Sequence, residues 1–164
     1  MSDRPPLWAV IGTLFAAPVF IGLVLTYVPY TLCGWRFAPP FLGQPWTRGA
    51  GVALIVLALP VLADFLVRFV REGHGTPAPV APPERLVVRG VFRYVRNPSY
   101  VAGVAAVVGQ GLLFASVEVL GYALALAVGF HLFVVLYEEP TLRRKFGAAY
   151  EAYCRDVGRW LPRF

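Results

Sequence analysis

Arg96-Asn97-Pro98-Ser99-Tyr100 stands directly before a run that is almost wholly apolar, and Glu138-Glu139 stands where a second apolar run stops. A guanidinium, an amide, a phenol and two carboxylates at the mouths of hydrophobic segments are the groups that hold a small charged ligand by charge-assisted hydrogen bonds. Solubility needs no such arrangement, and a plain membrane anchor needs only positive charge. Asparagine is a favoured N-cap and proline a favoured first helical residue, so a helix starts at Pro98, and the free amides of that start favour an anionic group such as a carboxylate. The same residues also make a sound helix start and nothing more. Two carboxylates near a bilayer surface are costly unless paired or solvated. They either serve a ligand or close the structure through Arg96–Glu138 or Arg143–Glu139 pairs. Pro140 disfavours helix at Glu139. The expectation is therefore that Glu139 turns toward the basic residues at 143–145 and that Glu138 faces the site.

The elements that place these residues follow from hydropathy. Of 164 residues, 58% are hydrophobic and 15% charged, and the mean hydropathy is +0.64, the balance of a membrane protein. Four apolar segments run over about 7–30, 47–70, 98–114 and 117–137. A span takes roughly 20 residues, so the first two suffice and the third, at 17 residues, is short. The first is too long for a secretory leader and lacks a small-residue cleavage pattern. With four spans, one side holds 13 of the 15 Lys and Arg residues, and only Arg36 and Arg48 fall on the other. By the positive-inside rule both termini and the loop 71–97 are cytoplasmic. The net charge of +6 then reads as topology and attraction to anionic lipid rather than to nucleic acid. The expected fold is all-α: one integral-membrane domain over 1–164, with two plain helices in 1–70, a catalytic part in 71–164, a cytoplasmic loop covering the site and a C-terminal amphipathic helix.

The turn at Ala115-Ser116 is short, which predicts an antiparallel hairpin of the third and fourth segments. It brings Asn97, Tyr100, Glu138 and Glu139 to one cytoplasmic, membrane-level place. Gly121, Ala125 and Gly129, with Ala102, Ala106, Ala105 and Gly109, have the four-residue spacing that permits close helix approach in lipid. The loop 71–97 carries Pro77, Pro79, Pro82 and Pro83, which forbid a long helix. It is either a linker or, given Val91, Phe92 and Val95 on one side, a short interfacial helix. Leu142, Phe146, Ala149, Tyr150, Tyr153 and Val157 recur at helical spacing, the pattern of an amphipathic helix. Asp64 and Arg68 read as a structural i, i+4 pair. Cys33 and Cys154 lie on opposite sides of the membrane, and neither has metal-like spacing with a histidine.

With "LVVRGVFRYVRNPSYVAG" followed by "EEPTLRRKFGAAYEAYCRDVGRWLPR", the chain resembles the integral-membrane isoprenylcysteine carboxyl methyltransferase and phospholipid methyltransferase family over roughly 73–163. The resemblance implies S-adenosyl-L-methionine as methyl donor. It implies cofactor contacts from Glu84, Arg85, Leu86, Val87, Phe92, Asn97, Pro98, Ser99, Tyr100 and Glu138. Phe92 stands where relatives commonly have tyrosine. The eukaryotic carboxyl methyltransferases carry an arginine one turn before the glutamate, and here that position is Val134, so the acceptor differs from a prenylcysteine carboxylate. Tyr100 and His131 are the acceptor-facing candidates, though His131 is also explained as a histidine satisfied within its helix. No strand–GxGxxG–helix unit is present. The expected activity is methyl transfer to a membrane-soluble, lipid-like acceptor. A membrane reductase of sterol-reductase-like architecture using a nicotinamide cofactor, and a non-enzymatic four-helix scaffold, are the alternatives. The acceptor atom, the oligomeric state and ligand contacts of Glu139 and His74 are not legible in the sequence.

Overall fold

The computed structural model describes residue 19, residues 21–72 and residues 86–163, and of residues 69–72 the backbone alone. Among them the chain is helical, without strands, and holds one isolated parallel bridge, Val95 with Gly158. A π turn, Leu23–Tyr27, leads into α1, Val28–Cys33. Then come α2, Trp46–Glu72; a 3-10 turn, Gly90–Arg93; α3, Pro98–Phe114; and α4, Val117–Phe133. A second π turn, Val134–Glu138, runs directly into α5, Glu139–Phe146, and α6 is Ala148–Asp156. Trp46–Arg68 and Val117–Phe146 are long and apolar enough to cross a membrane, while α3 is 17 residues long. Most of the expected first span lies outside the described residues, as do Glu84, Arg85, His74 and the proline-rich part of the loop.

The chain divides into two compact units. One comprises Ile21–Leu62 and Ser99–His131. Its centre is a seam of small residues between α2 and α3. A β-carbon on Gly51 would lie 2.5 Å from the Gly109 carbonyl oxygen, and one on Gly109 would lie 2.7 Å from that of Gly51. Ala58, Ala102 and Ala106 continue the contact. The expectation that the small stripes pair α3 with α4 is corrected here. The α3 stripe packs on α2, and β-carbons at Gly121 and Gly129 on α4 would meet nothing within 4 Å among the described residues. What joins α3 to α4 is Val107 against Val119 and Ala123, with Gly111 under Leu120. The turn between them matches its sequence signal. Ala115 takes a left-handed φ of 55°. Ser116 then caps α4, its hydroxyl oxygen accepting the Val119 amide at 3.2 Å while its proton goes to Glu118 at 2.8 Å. The first π turn interrupts regular helical bonding, and the Val24 and Leu25 carbonyls accept from Tyr122 (3.0 Å) and Gln110 (2.8 Å). Such partners are obligatory where no water can serve. Beyond α1, Trp35 and Phe37 pack on Phe114, and Arg48 sits 5.4 Å over the Phe37 ring.

The second unit includes Ala63–Pro98 and Leu132–Phe164. Its core is Tyr150, Tyr153 and Val157 with Leu86, Leu142, Phe146 and Cys154. Leu142, Phe146, Tyr150, Tyr153 and Val157 are among the residues expected on one amphipathic helix, while Ala149 is exposed; Gly147, at φ 53°, breaks that helix into α5 and α6. The expected interfacial helix around Val91 is only a 3-10 turn, with Phe92 buried against Phe65 at 5.9 Å between centroids. Gly90 starts it with φ +60°. A β-carbon there would fall on the Arg68 guanidinium, which is held by Asp64 at 2.9 Å. Asp64 also accepts the Val91 amide at 2.9 Å. The i, i+4 pair therefore fastens the end of α2 to the chain that enters α3.

Candidate functional site

The start of α3 forms as its sequence requires. Pro98 is its first residue, and Asn97 and Pro98 are buried. The Asn97 side-chain amide donates to the Arg159 carbonyl at 3.2 Å. One residue earlier, the Arg96 amide donates to the Gly158 carbonyl at 2.9 Å. Asn97 thus binds the C-terminal segment with its amide nitrogen. The segment turns tightly enough at Gly158 that a β-carbon there would strike the Leu161 carbonyl oxygen.

The expected approach of Glu139 to Arg143 is present, but the expected break at Pro140 is not. Pro140 does not end the helix, because proline is tolerated in a first turn, where its missing N–H is unneeded. Backbone angles at Glu139 are helical, φ −61° and ψ −45°. The π turn Val134–Glu138 instead widens the helix just before the pair. Glu139 is 3% exposed and Glu138 is half-buried. Three guanidinium groups surround the Glu139 carboxylate. Arg159 grips both oxygens, Nε to Oε1 at 2.6 Å and Nη2 to Oε2 at 3.0 Å. Arg96 Nη2 lies 3.2 Å from Oε1, and Arg143 Nη2 lies 3.8 Å from Oε2. Arg143 also pairs with Glu151 at 2.9 Å. Hydrogen bonding to Glu139 raises Arg159 above the ordinary arginine value. Arg96 donates to the Cys154 thiol as well, while its Nε is buried with no hydrogen-bond partner among the described residues.

Around this network Tyr153 donates its hydroxyl to the Phe92 carbonyl at 2.7 Å. Burial pushes the phenols of Tyr150 and Tyr153 well above the ordinary tyrosine value. Both are neutral donors at physiological pH.

Of the residues singled out from sequence, Val87, Phe92, Asn97 and Pro98 are buried, and Leu86 packs in the tyrosine core. Ser99 and Tyr100 occupy the first turn of α3 and are half-buried, with the Tyr100 ring 4.5 Å from Phe130. His131 is exposed near the end of α4. Val134 is fully buried. Asn97 and Glu139 are brought together through Arg159. Arg159 and the tail around it were missed as site residues. Their bonds span 62 and 20 positions in the chain, and such contacts leave no local pattern.

A family model described as Phospholipid methyltransferase matches residues 47–149. No curated protein matches the chain, and no solved structure does. The matched stretch is more than half of the 164 residues. It runs from the first turn of α2 to the start of α6 and takes in both the Arg96–Tyr100 motif and the Glu138-Glu139 pair. On that match the chain belongs to the phospholipid methyltransferase family, and it is a membrane methyltransferase.

Proposed function

We propose that this methyltransferase uses S-adenosyl-L-methionine and transfers the methyl group to a membrane-soluble, lipid-like acceptor at the cytoplasmic bilayer surface. The family match carries methyl transfer. The observation that supports this donor is the buried, unpartnered Nε of Arg96 beside Asn97. An amino-acid carboxylate would satisfy it, and the donor carries one. Glu139 is buried among three arginines; the carboxylate proposed for the donor's cationic end is the adjacent, half-buried Glu138, the glutamate that the family resemblance implies. Leu86, Val87, Phe92, Asn97, Pro98, Ser99 and Tyr100, with Glu84 and Arg85, complete the proposed donor contacts. Tyr100 and His131 keep the proposed acceptor role.

Bound, the sulfonium supplies an already electrophilic methyl group, so the protein has no covalent intermediate to build. The chain's task is to bind, to orient and to exclude water. The α3 start and the Glu138 carboxylate orient opposite charges of one ligand, and the buried residues Val87 and Phe92 keep their surroundings dry. Val134 is apolar and fully buried, so no guanidinium at that position holds an acceptor carboxylate. This supports an acceptor other than a prenylcysteine. The proposed architecture is a single membrane domain of four spans, with residues 1–70 as supporting helices, 71–164 as the catalytic part and both termini cytoplasmic.

Thermal-shift and calorimetric titration of the detergent-purified chain test the reading. S-adenosylhomocysteine is expected to bind and to raise the melting temperature, while nicotinamide nucleotides do neither. With a labelled donor, a farnesylcysteine analogue is expected to accept methyl groups poorly beside a panel of lipids and lipophilic amines or thiols. Nucleotide binding without S-adenosylhomocysteine binding would overturn the proposal.

A further inference from the structure

The C-terminal segment 157–163 lies beyond the stretch that the family model matches, yet it is tied to both polar ends of the site. Its backbone pairs with the chain that enters α3: Val95 bridges Gly158, the Arg96 amide reaches the Gly158 carbonyl and the Asn97 side chain reaches the Arg159 carbonyl. Its Arg159 guanidinium grips both oxygens of Glu139, next in sequence to Glu138. A planar fork on a carboxylate fixes direction as well as distance, which an ammonium does not. Arg159 is thus the residue whose main chain fixes the start of α3 while its side chain fixes the end of the second π turn.

We propose that Arg159 is a positioning residue for the methyl donor: it sets Asn97 and Glu138 relative to one another through its carbonyl and its guanidinium, without itself touching the reacting atoms. Arg143 meets the same carboxylate, but at 3.8 Å, and is half-exposed. It belongs to the surface of the network and does not set that geometry. The inference rests on the proposed donor and assigns the tail a part in binding it.

The test uses the full chain in detergent, with S-adenosylhomocysteine as probe and calorimetry as readout, well below the melting temperature of each variant. Arg159→Ala is expected to weaken binding by about tenfold or more, the scale of one lost charge-assisted contact. Methylguanidinium at millimolar concentration is expected to restore a several-fold part of the loss. Arg159→Lys, which keeps charge without the fork, is expected to fall between the two, and Arg143→Ala to stay within twofold of wild type. Gly109→Leu destabilises through the α2–α3 seam and is expected to leave affinity within twofold. If Arg159→Ala does not fold, Arg159→Lys decides. Wild-type affinity in the folded Arg159 variants would overturn the proposal. So would an equal loss in Gly109→Leu, which would mean that affinity merely follows stability. A wild-type chain that does not bind the probe overturns the functional reading on which the proposal stands.

Discussion

At the scale of single residues, the adjacent glutamates separate stability from binding. Glu139 is buried among Arg96, Arg143 and Arg159. Removing one partner from a buried ion cluster costs about 3–5 kcal/mol, because charge is left without compensation. Glu139→Gln is therefore expected to lower the melting temperature markedly. Glu138→Gln, at a half-buried position, is expected to lower melting less than Glu139→Gln and to weaken S-adenosylhomocysteine binding by about one to two decades, as for a lost charge-assisted hydrogen bond. Calorimetry and thermal unfolding of both variants check this, and a reversed pattern would exchange the roles. The tyrosine core gives a pH prediction. Burial raises the Tyr153 phenol above its ordinary value of 10.0, and its hydroxyl serves the Phe92 carbonyl. A folded value above the unfolded one means that the contribution is fully present below pH 10 and is lost as pH rises beyond it toward the folded value. Melting temperature is expected to fall above about pH 10, near the unperturbed tyrosine range. Tyr153→Phe is expected to cost about 0.5–1.5 kcal/mol at neutral pH and to flatten part of that fall.

At the scale of elements, what the sequence disclosed and what it concealed have separate physical causes. The limits of α3 were legible because both are local signals: Asn-Pro at the start, and Ala-Ser before a capped helix at the end. The polar motif and the glutamate pair were legible because charge is rare beside apolar runs. The partner of the small-residue stripe was not legible, since four-residue spacing says that a neighbour comes close and not which one. Nor was the second π turn. An added residue in a helical turn has no composition of its own, so Glu-Pro read as a break where the helix runs on. The seam supplies a direct check. Gly51→Leu or Gly109→Leu must separate backbones already in contact, and overpacking of this kind costs about 1–3 kcal/mol or more. Gly121→Leu and Gly129→Leu, with open space at the β-carbon, are expected to be tolerated. Thermal unfolding in detergent compares the four. Equal loss at all of them would return the α4 stripe to a packing role.

At the scale of the whole molecule, the proposed topology puts the arginines of the tail and the Arg36–Arg48 region on opposite sides of the bilayer. In a background lacking Cys33 and Cys154, Gln44→Cys and Arg155→Cys are expected to react with an impermeant thiol reagent from opposite sides. Labelling of both from one side would remove the four-span arrangement. In that arrangement the 17 residues of α3 carry a thickness requirement. At 1.5 Å per residue, α3 covers about 25 Å, against a hydrocarbon core of about 30 Å. A bilayer meets such a helix by thinning locally, at a cost of fractions of a kcal/mol for each ångström of mismatch. The lipid headgroups are then drawn toward the level of Asn97. The enzyme is expected to be most stable and most active in vesicles of short acyl chains, with both declining together as chains lengthen. Membrane thickness would thus set the working rate through the shortness of one helix.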